Sequence, residues 1–335
     1  MQSFSNAKKM SNFQKHYLVT GGAGFIGSQV IRELVNKDVK VTCIDNFDTF
    51  YSKEIKLLHI SGFSDLPNFS LLPIDLDTVS VNELKKAVIT PVDAIIHLAA
   101  KAGVRPSIDN PVAYQKTNIL GTQQLLDFAV QAGVKKFVFA SSSSVYGVNE
   151  NLPWQEEEKL LPISPYAMTK LSGEMAGYTY HKLYNLSFIA LRFFTVYGPG
   201  QRPDLAIHRF IKAIHKGEPI TMYGDGSTSR DYTFVTDIVN GVVAAVNYKA
   251  TDFEIINLGN SYTVSLKELV GAIEEVVGKK AIIDRQPEQP GDVPRTFSDI
   301  SKAKRLLNYE PQTGLKKGLQ QFYEWFLMHQ QVLLK

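Results

Sequence analysis

The run Val19-Thr20-Gly21-Gly22-Ala23-Gly24-Phe25-Ile26-Gly27 restricts the folds open to this chain more than any other stretch. An apolar segment enters it from Tyr17, and apolar residues at helical spacing, Ile26, Val30, Ile31 and Leu34, leave it. Gly22, Gly24 and Gly27 satisfy G-x-G-x-x-G, while Gly21, Gly24 and Gly27 satisfy an overlapping G-x-x-G-x-x-G. A glycine string alone is weak evidence. A strand that turns sharply into a helix N-terminus is stronger, because backbone N–H groups and the positive end of the helix dipole converge where a pyrophosphate can sit. The stretch predicts the first βα unit of a dinucleotide-binding domain.

The alternation continues downstream. Strand-like runs fall at Tyr17–Thr20, Val39–Ile44, Phe69–Pro73, Ala94–Leu98, Phe137–Ala140, Phe188–Leu191 and Phe253–Leu258, with helix-like spacing at Ile26–Val35, Ile119–Ala132 and Tyr166–Tyr184. Beyond Phe194 come turn-rich segments, YGPGQRPDLA, YGDGSTSRDY and QPEQPGDVP, of the kind that carry function or build a smaller domain. The expected class is α/β: a Rossmann doubly wound parallel sheet with a smaller C-terminal substrate-binding domain. The expected boundaries are 16–192 plus 233–258 for the sheet and 193–232 plus 259–335 for the smaller part, with 1–15 a loose tail. The run Glu156-Glu157-Glu158 reads as a solvated loop.

A formal charge of +3 is too balanced for a nucleic-acid footprint, so an affinity for anions must come from local clusters. The single cysteine, Cys43, allows no internal disulfide and reads as a buried small hydrophobe in a reducing compartment. No run approaches the ~18 apolar residues of a membrane span, and residues 1–15 lack a signal-peptide core, so a cytoplasmic protein without membrane contact is expected. No metal site is expected.

The second strand ends in Asp45, near the ~20-residue offset at which an acid accepts hydrogen bonds from the adenosine ribose hydroxyls. Its charge would repel a 2′-phosphate, and no arginine follows at Asn46 or Phe47, so NAD is preferred to NADP. Asp75, after the third strand, either accepts from the adenine amino group or caps its own loop. The cofactor site should take in Gly21, Gly24, Phe25, Ile26, Gly27, Asp45, Asn46 and Asp75, with Leu98, Ala99 and Ala100 after the fourth strand.

The helix opening at Pro165 places Tyr166 and Lys170 on one face at i, i+4. A phenol acting as a base near neutral pH needs its pKa lowered by roughly 3, about 4 kcal/mol of preference for the phenolate. A neighbouring ammonium and a positive nicotinamide ring have the right sign of charge. Y-x-x-x-K alone is as readily ordinary helix surface. Ser142, at the end of an apolar strand, makes the pair meaningful, because strand ends of doubly wound sheets face the ligand crevice and its hydroxyl can hold the oxygen that Tyr166 deprotonates.

With VTGGAGFIG, CIDNF, DAIIHLAA, SSSSVYG, SPYAMTK, LRFFTVYGP, GDGSTSRDYTFVTD and QPGDVP in order over about residues 16 to 325, the chain resembles an extended short-chain dehydrogenase/reductase of the nucleotide-sugar epimerase and dehydratase group. The resemblance implies that Tyr166 is the base, Lys170 its electrostatic partner and nicotinamide-ribose ligand, and Ser142 the hydroxyl assisting at the sugar C4 oxygen. It places Asn118 and Phe194 near the cofactor and Arg230 and Asp292 in the nucleotide-sugar site. Relatives oxidise the sugar at C4 to a 4-keto intermediate. Dehydratases and decarboxylases then use an acid just before V-Y-G, where this chain has Ser143 and Ser144. Those serines are either sugar ligands or strand-end caps.

FFTVYGP followed by QRPD is similar to the UDP-glucuronate 4-epimerases. A 4-keto uronate is a β-keto acid prone to lose CO2, so such a site must hold the carboxylate away from alignment with the carbonyl. Ser143, Ser144 and Thr195 can supply donors, and Arg202 or Arg105 charge. The chain departs from relatives at Lys101, where glutamine is usual, at Ala102, where galactose-type enzymes have lysine, and at Gln289. The expected function is C4 epimerisation of a UDP-hexuronate with tightly bound NAD, in a homodimer paired through the long helices at 119–132 and 166–184. The rivals are epimerisation of UDP-glucose or UDP-N-acetylglucosamine and, from another class, a non-catalytic NAD-binding sensor.

Overall fold

The computed structural model describes residues 13–88, 91–287 and 293–334. Most of the expected tail, Asp292 and Gln289 lie outside the described residues. Strands β1 (His16–Thr20), β2 (Lys40–Ile44), β3 (Phe69–Leu72), β4 (Ala94–His97), β5 (Lys136–Ser142) and β6 (Ser187–Phe193) alternate with helices α1 (Phe25–Asn36), α2 (Lys53–Ile60), α3 (Val81–Ala87), α4 (Val104–Asp109), α5 (Pro111–Gln115), α6 (Gly121–Gln131) and α7 (Pro165–Tyr184). Then come β7 (Thr195–Tyr197), α8 (Ala206–Lys216), β8 (Pro219–Tyr223), β9 (Ser229–Phe234), α9 (Val235–Asn247) and β10 (Phe253–Leu258). The chain closes with β11 (Thr263–Ser265), α10 (Leu266–Val277), β12 (Ile282–Gln286), α11 (Ser301–Leu307), α12 (Leu315–Met328) and α13 (Gln330–Leu333).

Seven strands form one sheet in the order β10-β6-β5-β4-β1-β2-β3, every pairing parallel. All seven expected runs are in it. Parallel strands joined by helical crossovers have both faces covered, which is why β1 and β5 are buried at every position and are apolar through their centres. Two small sheets, β11-β9-β7 and β12-β8, are built from the turn-rich half. One apolar cluster runs without a break from Val19 and Ile96 in the large sheet to Phe322 and Phe326 of α12, so the smaller part shares the sheet's core. Cys43 is fully buried in that cluster.

Local chemistry sets the helix ends. Ser164 accepts a hydrogen bond from Ala167 N at 3.1 Å and Pro165 fills the first helical position, so α7 begins where Tyr166 must point toward the strand ends. It stops at Asn185 in the left-handed region. Ahead of α6, residues Lys116–Leu120 form a π-helical turn with Asn118 buried inside it. Glu156 departs from the solvated-loop expectation: it turns inward, its carboxylate accepting Asn257 N at 2.8 Å, and burial raises its pKa.

Candidate active site

A cavity of about 550 Å³ runs along the C-terminal ends of the central strands, at the β1–β4 junction where the strand order reverses. Gly21 sits at φ +71°, and a Cβ there would lie 2.7 Å from Ala99 N. A Cβ on Gly27 would lie 2.1 Å from Gly21 O, so the helix starts flush against the turn. Gly21, Gly24, Phe25, Ile26 and Gly27 line the cavity, as do Asp45, Asn46, Asp75, Leu98, Ala99 and Ala100. Asp45 is held by Ala23 N at 2.9 Å and Phe47 N at 2.8 Å, leaving its remaining lone pairs for a ligand hydroxyl. Asp75 lines the cavity and also caps its own loop, accepting Asp77 N at 2.9 Å. The Thr117 hydroxyl, on the wall, is buried with no partner in the protein, an atom that a bound ligand would satisfy. These features fit a dinucleotide with its pyrophosphate on the N-terminus of α1.

The reacting end lies between β5, α7 and the loop after β7. Ser142 caps the 3-10 turn Ser143–Tyr146: its oxygen accepts Ser144 N at 3.2 Å, which fixes its position, and its hydroxyl donates to Ser144 Oγ at 3.1 Å. Burial raises the Tyr166 pKa, while a hydrogen bond with Ser142 and the charge of Arg202 pull it down. The Lys170 ammonium lies 5.9 Å from the centre of the Tyr166 ring and donates to Ala140 O at 2.8 Å, and burial pushes its pKa down to about 7. Arg202, whose charge acts on the phenol, is pinned by Asp204 at 2.6 Å, donates to Ala102 O at 3.3 Å and lies over the Phe50 ring. The Tyr114 ring meets Tyr166 edge-on at 6.3 Å.

Thr195, Phe194 and Arg202 line the cavity with Ser142, Tyr166 and Lys170. Ser143, Ser144, Asn118, Arg105 and Arg230 are placed off its wall. Asn118 works one layer back, clamping Lys101 through both backbone groups, N to Oδ1 at 2.8 Å and O from Nδ2 at 2.9 Å. The Arg105 guanidinium stacks on Tyr223 at 4.6 Å. Arg230 donates to Ser229 O at 2.9 Å. The cavity also includes Asp48, Tyr51, Lys56, Lys101, Tyr114 and Thr117, of which sequence reasoning gave no role to any. The stretch Asn46 to Lys56, aromatic and charged just past the ribose-binding acid, was the signal available. Lys101 crosses to Asp48 at 2.7 Å.

Residues 18–322 match the GDP-mannose 4,6 dehydratase family. A UDP-glucuronate 4-epimerase of Thermodesulfobacterium geofontis is 42% identical over 313 residues, covering 92% of this chain and 95% of that protein. The crystal structure of the UDP-glucuronic acid 4-epimerase from Bacillus cereus, in complex with UDP-glucuronic acid and NAD, superimposes with a TM-score of 0.88 at 36% identity, covering 93% of this chain and 99% of that one. The UDP-glucose 4-epimerase of Thermotoga maritima, with UDP-glucose, gives a TM-score of 0.87 at 32% identity, covering 94% and 99%. Strand order, glycine turn, the Ser142–Tyr166–Lys170 grouping and these matches agree, and the chain belongs to the GDP-mannose 4,6-dehydratase-type family of extended short-chain dehydrogenases/reductases.

Proposed function

We propose that this protein is an NAD-dependent epimerase that interconverts UDP-glucuronate and UDP-galacturonate at C4. The observation carrying this is the distribution of carboxylates. Among the described residues, the acids lining the cavity are Asp45, Asp48 and Asp75, all after β2 and β3 on the cofactor side. Beside Tyr166 the wall offers Ser142, Thr195 and Arg202. Elimination across C5 and C6 needs an acid and a base beyond the C4 pair; beside Tyr166 the described wall offers hydroxyls, the Tyr114 phenol and a cation, and no carboxylate. Relatives named UDP-glucuronate 4-epimerase, and a solved one holding UDP-glucuronic acid and NAD, support the substrate.

Tyr166 takes the proton of the C4 hydroxyl while Ser142 holds the same oxygen. NAD, when bound, supplies the hydride acceptor at C4 and returns the hydride. Tyr166 keeps the proton until the 4-keto sugar has turned its other face, then gives it back. Thr195 and Arg202 hold the C5 carboxylate out of line with the C4 carbonyl, so that the β-keto acid keeps its CO2. Ser143 and Ser144 hold the turn that aims Ser142.

The test is proton NMR of UDP-glucuronate, UDP-glucose and UDP-N-acetylglucosamine, each incubated with the purified protein. A galacturonate anomeric signal from the first tube alone is expected; turnover of a neutral sugar alone would remove the carboxylate roles of Thr195 and Arg202, and a pentose product the claim that decarboxylation is suppressed.

The protein acts as a homodimer in this reading. Met175 and Tyr178 on α7 are 59% and 44% exposed, and Val112 and Leu120, on the helical segments packed beside it, 59% and 43%. Apolar exposure on that scale suits a second copy. Light scattering should give twice the chain mass, falling to a monomer for Met175→Glu; a monomeric wild type at micromolar concentration contradicts this.

A further inference from the structure

The Lys56 side chain faces the cavity from α2, and its residue is 6% exposed. An ammonium so buried is ordinarily paired, because leaving water is costly for an unpaired charge. Here no described residue accepts a hydrogen bond or forms an ion pair with it; its neighbour is the face of Tyr51, 4.9 Å away. The two nearby carboxylates are committed elsewhere. Asp45 takes the N–H groups of Ala23 and Phe47, and Asp48 takes Lys101 at 2.7 Å. Burial lowers the Lys56 pKa; Asp45 and Asp48 oppose that from a distance, and Lys101 and Arg202 add to it as like charges. Among the described residues the protein thus holds a cation in the cavity, on the β2 side of the glycine turn, with carboxylates nearby but none in contact with it.

We propose that Lys56 is the counter-cation of the dinucleotide's phosphates, its ammonium reaching into the cavity to bind the pyrophosphate together with the N-terminus of α1. This rests on the dinucleotide reading of the cavity. The arrangement has two consequences that separate a ligand role from a packing role. Loss of the charge weakens only ligands that carry phosphate, and it relieves the ligand-free protein of an unpaired buried charge.

The experiment is calorimetric titration of ADP-ribose, ADP and adenosine into cofactor-stripped wild type, Lys56→Met and Lys56→Arg, with the melting temperature of each ligand-free protein. Lys56→Met is expected to weaken ADP and ADP-ribose by about tenfold or more, the scale of one charge-assisted hydrogen bond. It should leave adenosine unchanged and melt at or above the wild-type temperature, and Lys56→Arg should retain most of the phosphate affinity. Equal binding of ADP-ribose by wild type and Lys56→Met overturns the proposal, as does an equal loss for adenosine and ADP. A wild type that binds neither ADP-ribose nor NAD overturns the dinucleotide reading itself. Should Lys56→Met fail to fold, Lys56→Gln against Lys56→Arg makes the same comparison.

Discussion

Tyr166→Phe is expected to lower turnover of UDP-glucuronate by about 10²–10⁴-fold, the range for loss of a positioned acid-base group, while NAD still binds. The substitution removes one oxygen. The ring, its edge contact with Tyr114 and the helix around it are untouched, so the fold and the groove should survive. What disappears is the group whose proton affinity the site adjusts in opposite directions, upward by burial and downward by Ser142 and Arg202. Turnover in the wild type should rise with pH, because the phenolate is the active form and forms as pH passes the phenol's pKa. Arg202 lowers that pKa, so Arg202→Met moves the rising limb to higher pH at saturating substrate. Unchanged turnover in Tyr166→Phe, measured by NMR beside bound-NAD content, would remove Tyr166 as the base.

Glu174→Leu is expected to cost about 3–5 kcal/mol of stability, the range for stranding one member of a buried ion pair. Glu174 lies on the Tyr166–Lys170 face of α7, one turn beyond Lys170, and its side chain and that of Arg192 on β6 are each 1% exposed. The guanidinium meets the carboxylate twice, at 2.8 and 2.9 Å. Ser141, the residue before Ser142, donates to the same carboxylate. Arg192 goes on to the Tyr146 oxygen at 2.9 Å, and Tyr146 to Asn257 on β10 at 2.7 Å. The network pins α7 to the ends of β5, β6 and β10, and so fixes the separation of Tyr166 and Ser142. Because desolvation offsets much of the pair's attraction, the double variant Glu174→Leu/Arg192→Met should be more stable than Glu174→Leu alone. Urea midpoints of the three proteins decide it; a Glu174→Leu midpoint equal to wild type would mean the pair holds nothing in place.

The large sheet was readable because each of its strands is a short apolar run and its glycine turn is a local sequence event. That Tyr166, Lys170 and Ser142 meet at the cavity was readable for the same reason: helical spacing and strand-end position are short-range facts. Glu174 and Arg192 were not, since their meeting depends on how α7 lies across β5 and β6. The π-helical turn at Lys116–Leu120 escaped too, because one inserted residue barely disturbs an apolar period, although it is what turns Asn118 inward. β12 is exposed at every position and carries no alternation to find. Ser143 and Ser144 lie on the 3-10 turn, Arg105 against Tyr223 and Arg230 against Ser229, contacts that neither residue type nor resemblance shows in advance. Lys56, on the short helix α2, and Lys101, in the loop after β4, reach the cavity along a course that only the fold defines.

The most direct test of the central claim is proton NMR of UDP-glucuronate deuterated at C4, incubated with the purified protein and no added NAD. Hydride removal and return within one site predicts UDP-galacturonate that keeps deuterium at C4 and its original proton at C5. Solvent hydrogen at C4, exchange at C5, or a pentose product would contradict epimerisation by a single phenol and a retained hydride.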